Sequence, residues 1–246
     1  MPFDPYQDAI SRLTALGPLR VWSLLVTVFG DLTPDDLLEG PTLSAIMSEI
    51  GIKPEATRVA LHRLRVDGWI ISEKTGRTSR HRLSAKGRAD SDAARPRIYA
   101  RPAADAAVHF ALMPEGATPD TEHFAQVAPR LFVADAAVPV PANALSLAAG
   151  ALPDWLRNTG ETRELHDGYA ALHDVLHHIG TPDADALGPL RVAVLRVLIV
   201  HAWRRLALKH PALPRALHSD SWRGHDCRAQ VMHLLDHLPR PAFTDM

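Results

Sequence analysis

The sequence predicts an α+β chain, mostly helical, with an N-terminal winged helix-turn-helix, a small α+β middle segment and a helical C-terminal region. Three observations carry this. Two helical stretches are separated by only Gly51, Ile52 and Lys53, and a strand–turn–strand pattern follows them at once. Arg101-Pro102-Ala103-Ala104 has the composition of a linker. Beyond Pro153 the apolar residues recur at helical spacing. The expected boundaries are therefore 1–100, 101–152 and 153–246.

The first element is a helix over Leu19–Phe29, with apolar residues at 22, 25, 26 and 29, Pro18 ahead of it and Gly30 as its stop. Thr42–Ile50 is the second, opened by Pro41 and closed by Gly51 as a left-handed residue. Pro54–Asp67 is the third, with Pro54 at its first position. Trp69–Glu73 and Thr78–Leu83 are strand-like and flank the turn Thr75-Gly76-Arg77. Ala85–Tyr99 is a polar helix broken near Pro96. In the middle segment Val108–Met113, Leu131–Ala134 and Ala137–Val140 are expected strands, with a helix over 119–129. Helices near 161–179, 186–209 and 215–238 complete the chain.

Composition narrows the function. Of 246 residues, 46% are hydrophobic and 22% charged, which excludes a disordered chain. A single cysteine, Cys227, excludes a disulfide scaffold, a cysteine zinc site and an iron–sulfur cluster. Residues 1–4 carry no basic segment leading into an apolar run, so a signal peptide is not expected and the protein is expected in the cytoplasm. The most apolar run, Val192–Val200, is short and interrupted by Arg196, so no membrane partner is expected.

Net charge is −1, but its distribution is uneven. Residues 51–100 hold twelve Lys or Arg against five Asp or Glu, a local charge of +7, while the remaining 196 residues carry −8. A basic block in a neutral protein calls for a polyanionic partner, here double-stranded DNA. On the third helix Ala56, Ala60 and Leu64 line one side, flanked by Val59 and Leu61; Arg58, His62 and Arg65 fall on the other. Arginine forks match guanine edges and phosphates alike. Thr57 lies in the first turn, where free amides favour phosphate. Arg63 lies nearer the core side and is expected in a structural ion pair. In the hairpin, Arg77 sits at the tip, with Arg80 and Arg82 on the opposite strand face from Leu83. The DNA-contact set is therefore Thr57, Arg58, His62, Arg65, Arg77, Arg80 and Arg82. The alternative for the same features is a winged-helix module that binds protein.

These residues also resemble a known family. Leu24-Leu25-Val26-Thr27-Val28-Phe29-Gly30-Asp31 is similar to the opening of the PaaX-like regulators, the phenylacetic-acid-degradation repressors. Ala56–Leu64, Asp67-Gly68-Trp69 and Gly76-Arg77-Thr78-Ser79 resemble their winged helix. His201-Ala202-Trp203-Arg204-Arg205, Pro211-Ala212-Leu213-Pro214 and Ser221-Trp222-Arg223-Gly224 resemble their C-terminal segment. Lys53 stands where the family more often has a polar helix cap, and His210 replaces an acidic residue before Pro211. The resemblance implies a ferredoxin-like middle domain and a homodimeric repressor released by an aryl-CoA thioester such as phenylacetyl-CoA. The expected dimer would use apolar surface on Leu19–Phe29 and the C-terminal helices.

The effector set is then His201, Arg204, Arg205 and Trp222. His201 and Arg205 share a helix face, cations and aromatic surface cluster around one turn, and Trp222 would close a slot facing the middle domain. Arg196 precedes Arg204 and Arg205 on the same apolar helix, and these arginines need anions, either ligand phosphates or a carboxylate such as Asp220; an ion pair within the protein is the favoured of the two. No cofactor is expected. An enzyme is not expected either: there is no Gly-x-Ser-x-Gly, no phosphate-binding glycine loop and no catalytic cysteine signature. Fourteen histidines leave a third alternative, a metal-dependent hydrolase built on the i,i+4 pairs His173/His177 and His233/His237. No third ligand is fixed by sequence, so no metal site is expected.

Overall fold

The computed structural model describes residues 4–76, 78–101, 107–121, 123–150, 152–153, 155–157, 160–209 and 213–242. Among them are eight α-helices and two antiparallel sheets, so the chain is α+β and mostly helical. The first part runs α1 (Pro5–Ala15), α2 (Val21–Asp31), β1 (Leu38–Glu39), α3 (Gly40–Glu49), α4 (Pro54–Val66), β2 (Ile70–Thr75), β3 (Thr78–Leu83) and α5 (Ala85–Tyr99). The middle holds β4 (Val108–Leu112), β5 (Ala125–Ala128), β6 (Leu131–Asp135) and β7 (Leu145–Ala148). The last part is α6 (Arg163–Ile179), α7 (Ala184–Ala207) and α8 (Gly224–His237).

The caps explain most of these boundaries. The Asp4 carboxylate accepts the Tyr6 amide at 3.0 Å and starts α1, a helix the periodicity did not single out. Ser84 starts α5 by accepting the Gly87 amide at 3.0 Å. The α3–α4 turn depends on Gly51, whose φ of 87° lets the Ile52 amide turn back to the Met47 carbonyl at 2.9 Å. Lys53 occupies the N-cap of α4 and makes no side-chain cap bond. Replacing Lys53 by Ser should therefore raise stability by about 1 kcal/mol, read as a shift of the urea midpoint; an unchanged midpoint would show that the turn already satisfies the first amides.

Five expected elements differ. Helix α2 does not stop at Gly30 but continues to Asp31, because Leu32 still donates to Val28 O. Pro96 does not break α5, which runs on to Tyr99. The expected helix over 119–129 is not formed: Ala125–Ala128 pairs with β6 instead, and only five residues separate Pro119 from that strand. The expected strand at Ala137–Val140 is a turn leading into a loop, since Pro139 and Pro141 remove ladder donors; β7 forms beyond them. Near the C-terminus, 215–238 splits into a 3-10 turn at Arg215–Leu217 and α8 from Gly224. The middle sheet has the order β5-β6-β4-β7 with every pair antiparallel, and no helix lies in its connections among the described residues.

One hydrophobic core runs from Tyr6 to Leu238 and joins both ends of the chain. Helix α7 is its axis: Val192–Val200 is wholly buried, with α1 and α2 packed on it from one end of the sequence and α6 and α8 from the other. This helix is long and apolar enough to cross a membrane by length and composition, yet it is mostly buried inside the protein. The same core narrows the expected dimer surface. Leu24, Leu25, Val28 and Phe29 are fully buried against the chain's own helices, which leaves the partly buried Leu19, Val21 and Trp22 as the apolar surface of this segment. A separate small core of Val108, Phe110, Val127 and Val133 packs the middle sheet onto Leu156, Leu213 and Leu217.

Candidate nucleic-acid interface

Helix α4 buries Thr57, Ala60 and Leu64 and leaves Arg58, His62 and Arg65 in solvent. Thr57 is thereby removed from the DNA-contact set. It is 5% exposed, its hydroxyl turns back to Lys53 O, and its amide is already bonded to the same carbonyl. Arg63 is not on the core side either; it is exposed and lies 3.7 Å from Asp67, one turn on. Val59, placed as a flank of the buried face, is 70% exposed.

The exposed cations are held lightly. Arg58 pairs with Glu55 at 2.8 Å, and both side chains are 72% exposed. Arg65 donates to His62 Nδ1 at 3.0 Å, which leaves that imidazole as an acceptor. On the hairpin, Arg80 pairs with Glu39 at 2.7 Å and Arg82 with Glu73 at 3.1 Å. Exposed pairs of this kind contribute about 0–1 kcal/mol, so a phosphate can displace the carboxylate at little cost. Strand alternation holds as expected: His81 and Leu83 are buried while Arg80 and Arg82 face outward. Arg77 lies outside the described residues.

The three-stranded sheet β1-β3-β2 stands beside α4, and between them is a cleft of about 370 Å³. Arg58, His62 and Arg65 form one wall; Ser72, Ser79 and His81 form the other. The hydroxyls of Ser44, Ser72, Thr78 and Ser79 join this surface without having been anticipated, because serine and threonine carry no charge signal in a sequence. His81 Nδ1 meets Ser72 Oγ at 2.8 Å. Burial, with Arg65 as the neighbouring charge, holds the His81 pKa below the usual histidine value.

The effector set does not assemble as expected. His201 and Arg204 point from α7 to α2, where both meet the Thr27 hydroxyl, at 3.1 and 3.0 Å. That hydroxyl donates to Ser23 O, so its oxygen accepts from Arg204 and from the Nδ1–H of His201. His201 Nε2 is left buried without a partner among the described residues. Desolvation first, then Arg204 and Arg205, pushes the His201 pKa down to about 4. Arg205 lies over Gly17, where its guanidinium fills the space a side chain would take. Trp222 is elsewhere: it stacks on His218 at 4.7 Å and meets Tyr169 edge-on at 4.9 Å. The expected slot closed by Trp222 is therefore absent from the described residues, because residues 201 and 203 point to opposite sides of α7.

Arg196 has its anion in Asp31. Its Nε and Nη2 donate to the two carboxylate oxygens at 2.7 and 3.1 Å, and Nη1 donates to Leu235 O and Leu238 O. The Tyr99 hydroxyl donates to the same carboxylate at 2.8 Å. The expectation of an ion pair within the protein holds for Arg196, with Asp31 rather than Asp220 as its partner, and not for Arg204, which donates to the Thr27 hydroxyl. His233 and His237 lie with ring centroids 4.3 Å apart, yet no three His, Cys, Asp or Glu side chains converge on one point among the described residues.

Comparison with known proteins meets this geometry at both ends of the chain. A family model described as PaaX-like protein matches residues 20–87, and one described as PaaX-like protein C-terminal domain matches residues 161–244. The chain belongs to the PaaX-like family. The Transcriptional repressor PaaX of Escherichia coli (strain K12) is 26% identical over 265 residues, covering 92% of this chain and 83% of that protein. An uncharacterized protein of Mycobacterium tuberculosis, Rv0674, aligns in three dimensions over 88% of this chain and 94% of its own, with 20% identity and a TM-score of 0.49. In this PaaX-like protein Asp31 falls in the first matched segment and Arg196 in the second, so their ion pair fastens the two together.

Proposed function

We propose that this PaaX-like protein is a DNA-binding transcriptional regulator that acts in the cytoplasm and is not an enzyme. Residues 1–100 serve as the winged helix-turn-helix, with α4 as the recognition helix and β2–β3 as the wing. Residues 101–152 form a middle domain whose strand order, β5-β6-β4-β7, suits a ferredoxin-like sheet with its helices replaced by loops. Residues 153–246 form the effector and dimerisation domain. The observation that carries the proposal is the cleft itself: Arg58, His62 and Arg65 stand exposed on one wall, and the hairpin that forms the other turns Ser72, Ser79 and His81 into the cleft while it carries Arg80 and Arg82 on its outward face. In a PaaX-like protein, whose E. coli relative is a transcriptional repressor, that surface fits duplex DNA better than a protein partner.

Repression follows from occlusion of a promoter by a homodimer, since one recognition helix contacts too few bases for operator-level affinity and two match a palindrome. Release by an aryl-CoA thioester such as phenylacetyl-CoA is what the family resemblance supplies. Sedimentation with and without operator DNA tests the dimer; a monomer in both would overturn it.

Gel-shift titration tests the interface. Arg58→Ala and Arg65→Ala should each weaken operator binding by about 1–3 kcal/mol, the loss of a base-edge contact. Arg80→Ala should weaken all sequences alike and flatten the salt dependence by about one unit. Three variants with wild-type affinity would remove α4 and the wing as the DNA surface.

A further inference from the structure

The exposed face of α4 is not uniformly charged. Arg58, Val59, His62, Arg63, Arg65 and Val66 all stand in solvent, with Thr57, Ala60 and Leu64 buried behind them. Val59 and Val66 are each 70% exposed, the two most exposed large hydrophobic side chains among the described residues. At 100° per residue, both lie within about 50° of the direction opposite the buried three. With Glu55 and His62 they form the crest of the helix. The arginines stand on its flanks, Arg58 and Arg65 on the side of the hairpin, where they line the cleft, and Arg63 on the far side.

An apolar crest between cationic flanks is the reverse of an ordinary surface helix, whose most outward positions are its most polar. Residues 51–100 carry a charge of +7, so the occupant that fits this face is a polyanion with an apolar feature between its charges. The major groove of duplex DNA is such a surface. Phosphates border it, and the C5-methyl group of thymine projects into it.

We propose that Val59 reads a thymine methyl group in the operator. Val59 has this role only if α4 enters duplex DNA, as proposed above; what it adds is the base that is read. The N-terminal residues of a recognition helix are the ones that meet base edges. Val59 is the sixth residue of α4, whereas Val66 is the last, about 10 Å further along the axis. Val59 is therefore the reader, and Val66 stays at the margin of the groove. The neighbouring arginines turn away along the helix, Arg58 back to Glu55 at 2.8 Å and Arg63 on to Asp67 at 3.7 Å, so the isopropyl group is left uncovered. Its β-branch holds one rotamer on a helix, so the contact costs little side-chain entropy.

The test selects operator sequences with the full chain from a random duplex library. Each thymine of the selected site is then replaced by uracil, which removes only the methyl group. One such replacement should weaken wild-type binding by about fourfold, the factor for one methyl group left in water. The same replacement in an unselected duplex should change nothing. Val59→Ala should bind the thymine and uracil operators alike, near the wild-type affinity for the uracil form. Val59→Ile, which keeps the branch, should retain the preference, and so should Val66→Ala. Val59→Ala should melt no lower than wild type, because an exposed helical valine gains propensity as alanine, so its weaker binding is not unfolding. The role of Val59 is overturned if no thymine is sensitive to uracil, if Val59→Ala still prefers thymine, or if Val66→Ala loses the preference instead. A shift in the sedimentation of free Val59→Ala, with no thymine preference in the wild type, assigns the crest to a second copy of the chain and overturns it as well. Selection of an operator that binds equally in both forms removes the reader while the regulator stands. Failure to enrich any duplex removes the regulator, and Val59 with it.

Discussion

Arg196→Met is expected to destabilise the protein by about 3–5 kcal/mol, the cost of leaving a buried carboxylate without its cation. Both side chains are almost fully buried, with the Asp31 carboxylate at 0% exposure, so water cannot replace the lost partner. The change also strips the carbonyls of Leu235 and Leu238 of their donor. Arg240, at 3.8 Å from Asp31, is too far and too exposed to substitute fully. Against a typical total stability of about 5–15 kcal/mol, such a loss leaves a small margin. Asp31→Leu should cost a similar amount, because it strands the guanidinium instead. The double variant should be clearly more stable than the sum of the two losses predicts, since no charge is then left buried alone. Urea unfolding of the three variants measures this. Strict additivity would mean that Asp31 and Arg196 do not act as a pair.

The second large effect is a loss of stability on mild acidification. His201 has its folded pKa pushed down to about 4, against about 6.5 for a free histidine. The unfolded chain therefore binds a proton between those values that the folded chain does not. Stability is fully present above pH 6.5 and falls as the pH drops toward 4, by about 3 kcal/mol from this one group. Protonation would put a second N–H on a nitrogen with no acceptor, beside Arg204 and Arg205. His81, also depressed by burial, acts in the same direction, so His201→Asn should flatten the pH dependence without abolishing it. Urea midpoints taken from pH 7.5 to pH 4.5 decide the matter: parallel slopes for wild type and variant would mean that His201 titrates normally.

Asp31 and His201 also mark the line between what was legible in the sequence and what was not. Helical period, proline starts and the Gly51 turn are local signals, and they located α2 to α5 and the hairpin to within two residues or so at most ends. The basic face of α4 was legible for the same reason, since a 100° step places Arg58, His62 and Arg65 together without reference to the rest of the chain. Thr57 was misplaced because the edge of a helix's buried face is set by what packs on it, here close enough to cover a threonine. The middle strands failed more often, because a strand is confirmed by its partner. Ala125–Ala128 and Leu145–Ala148 carry little periodicity, and the ladders with β6 and β4 fix them.

The sequence by itself therefore determined the class of the fold, the charged face of α4 and the family, each encoded in neighbouring residues. Only the tertiary structure decided which charges are neutralised. Asp31 and Arg196 are 165 residues apart and meet because α2 packs along α7. Arg204, eight residues further along the same helix, receives only a hydroxyl. No spacing rule distinguishes the two arginines, since the field each one feels is set by whatever the fold brings opposite it.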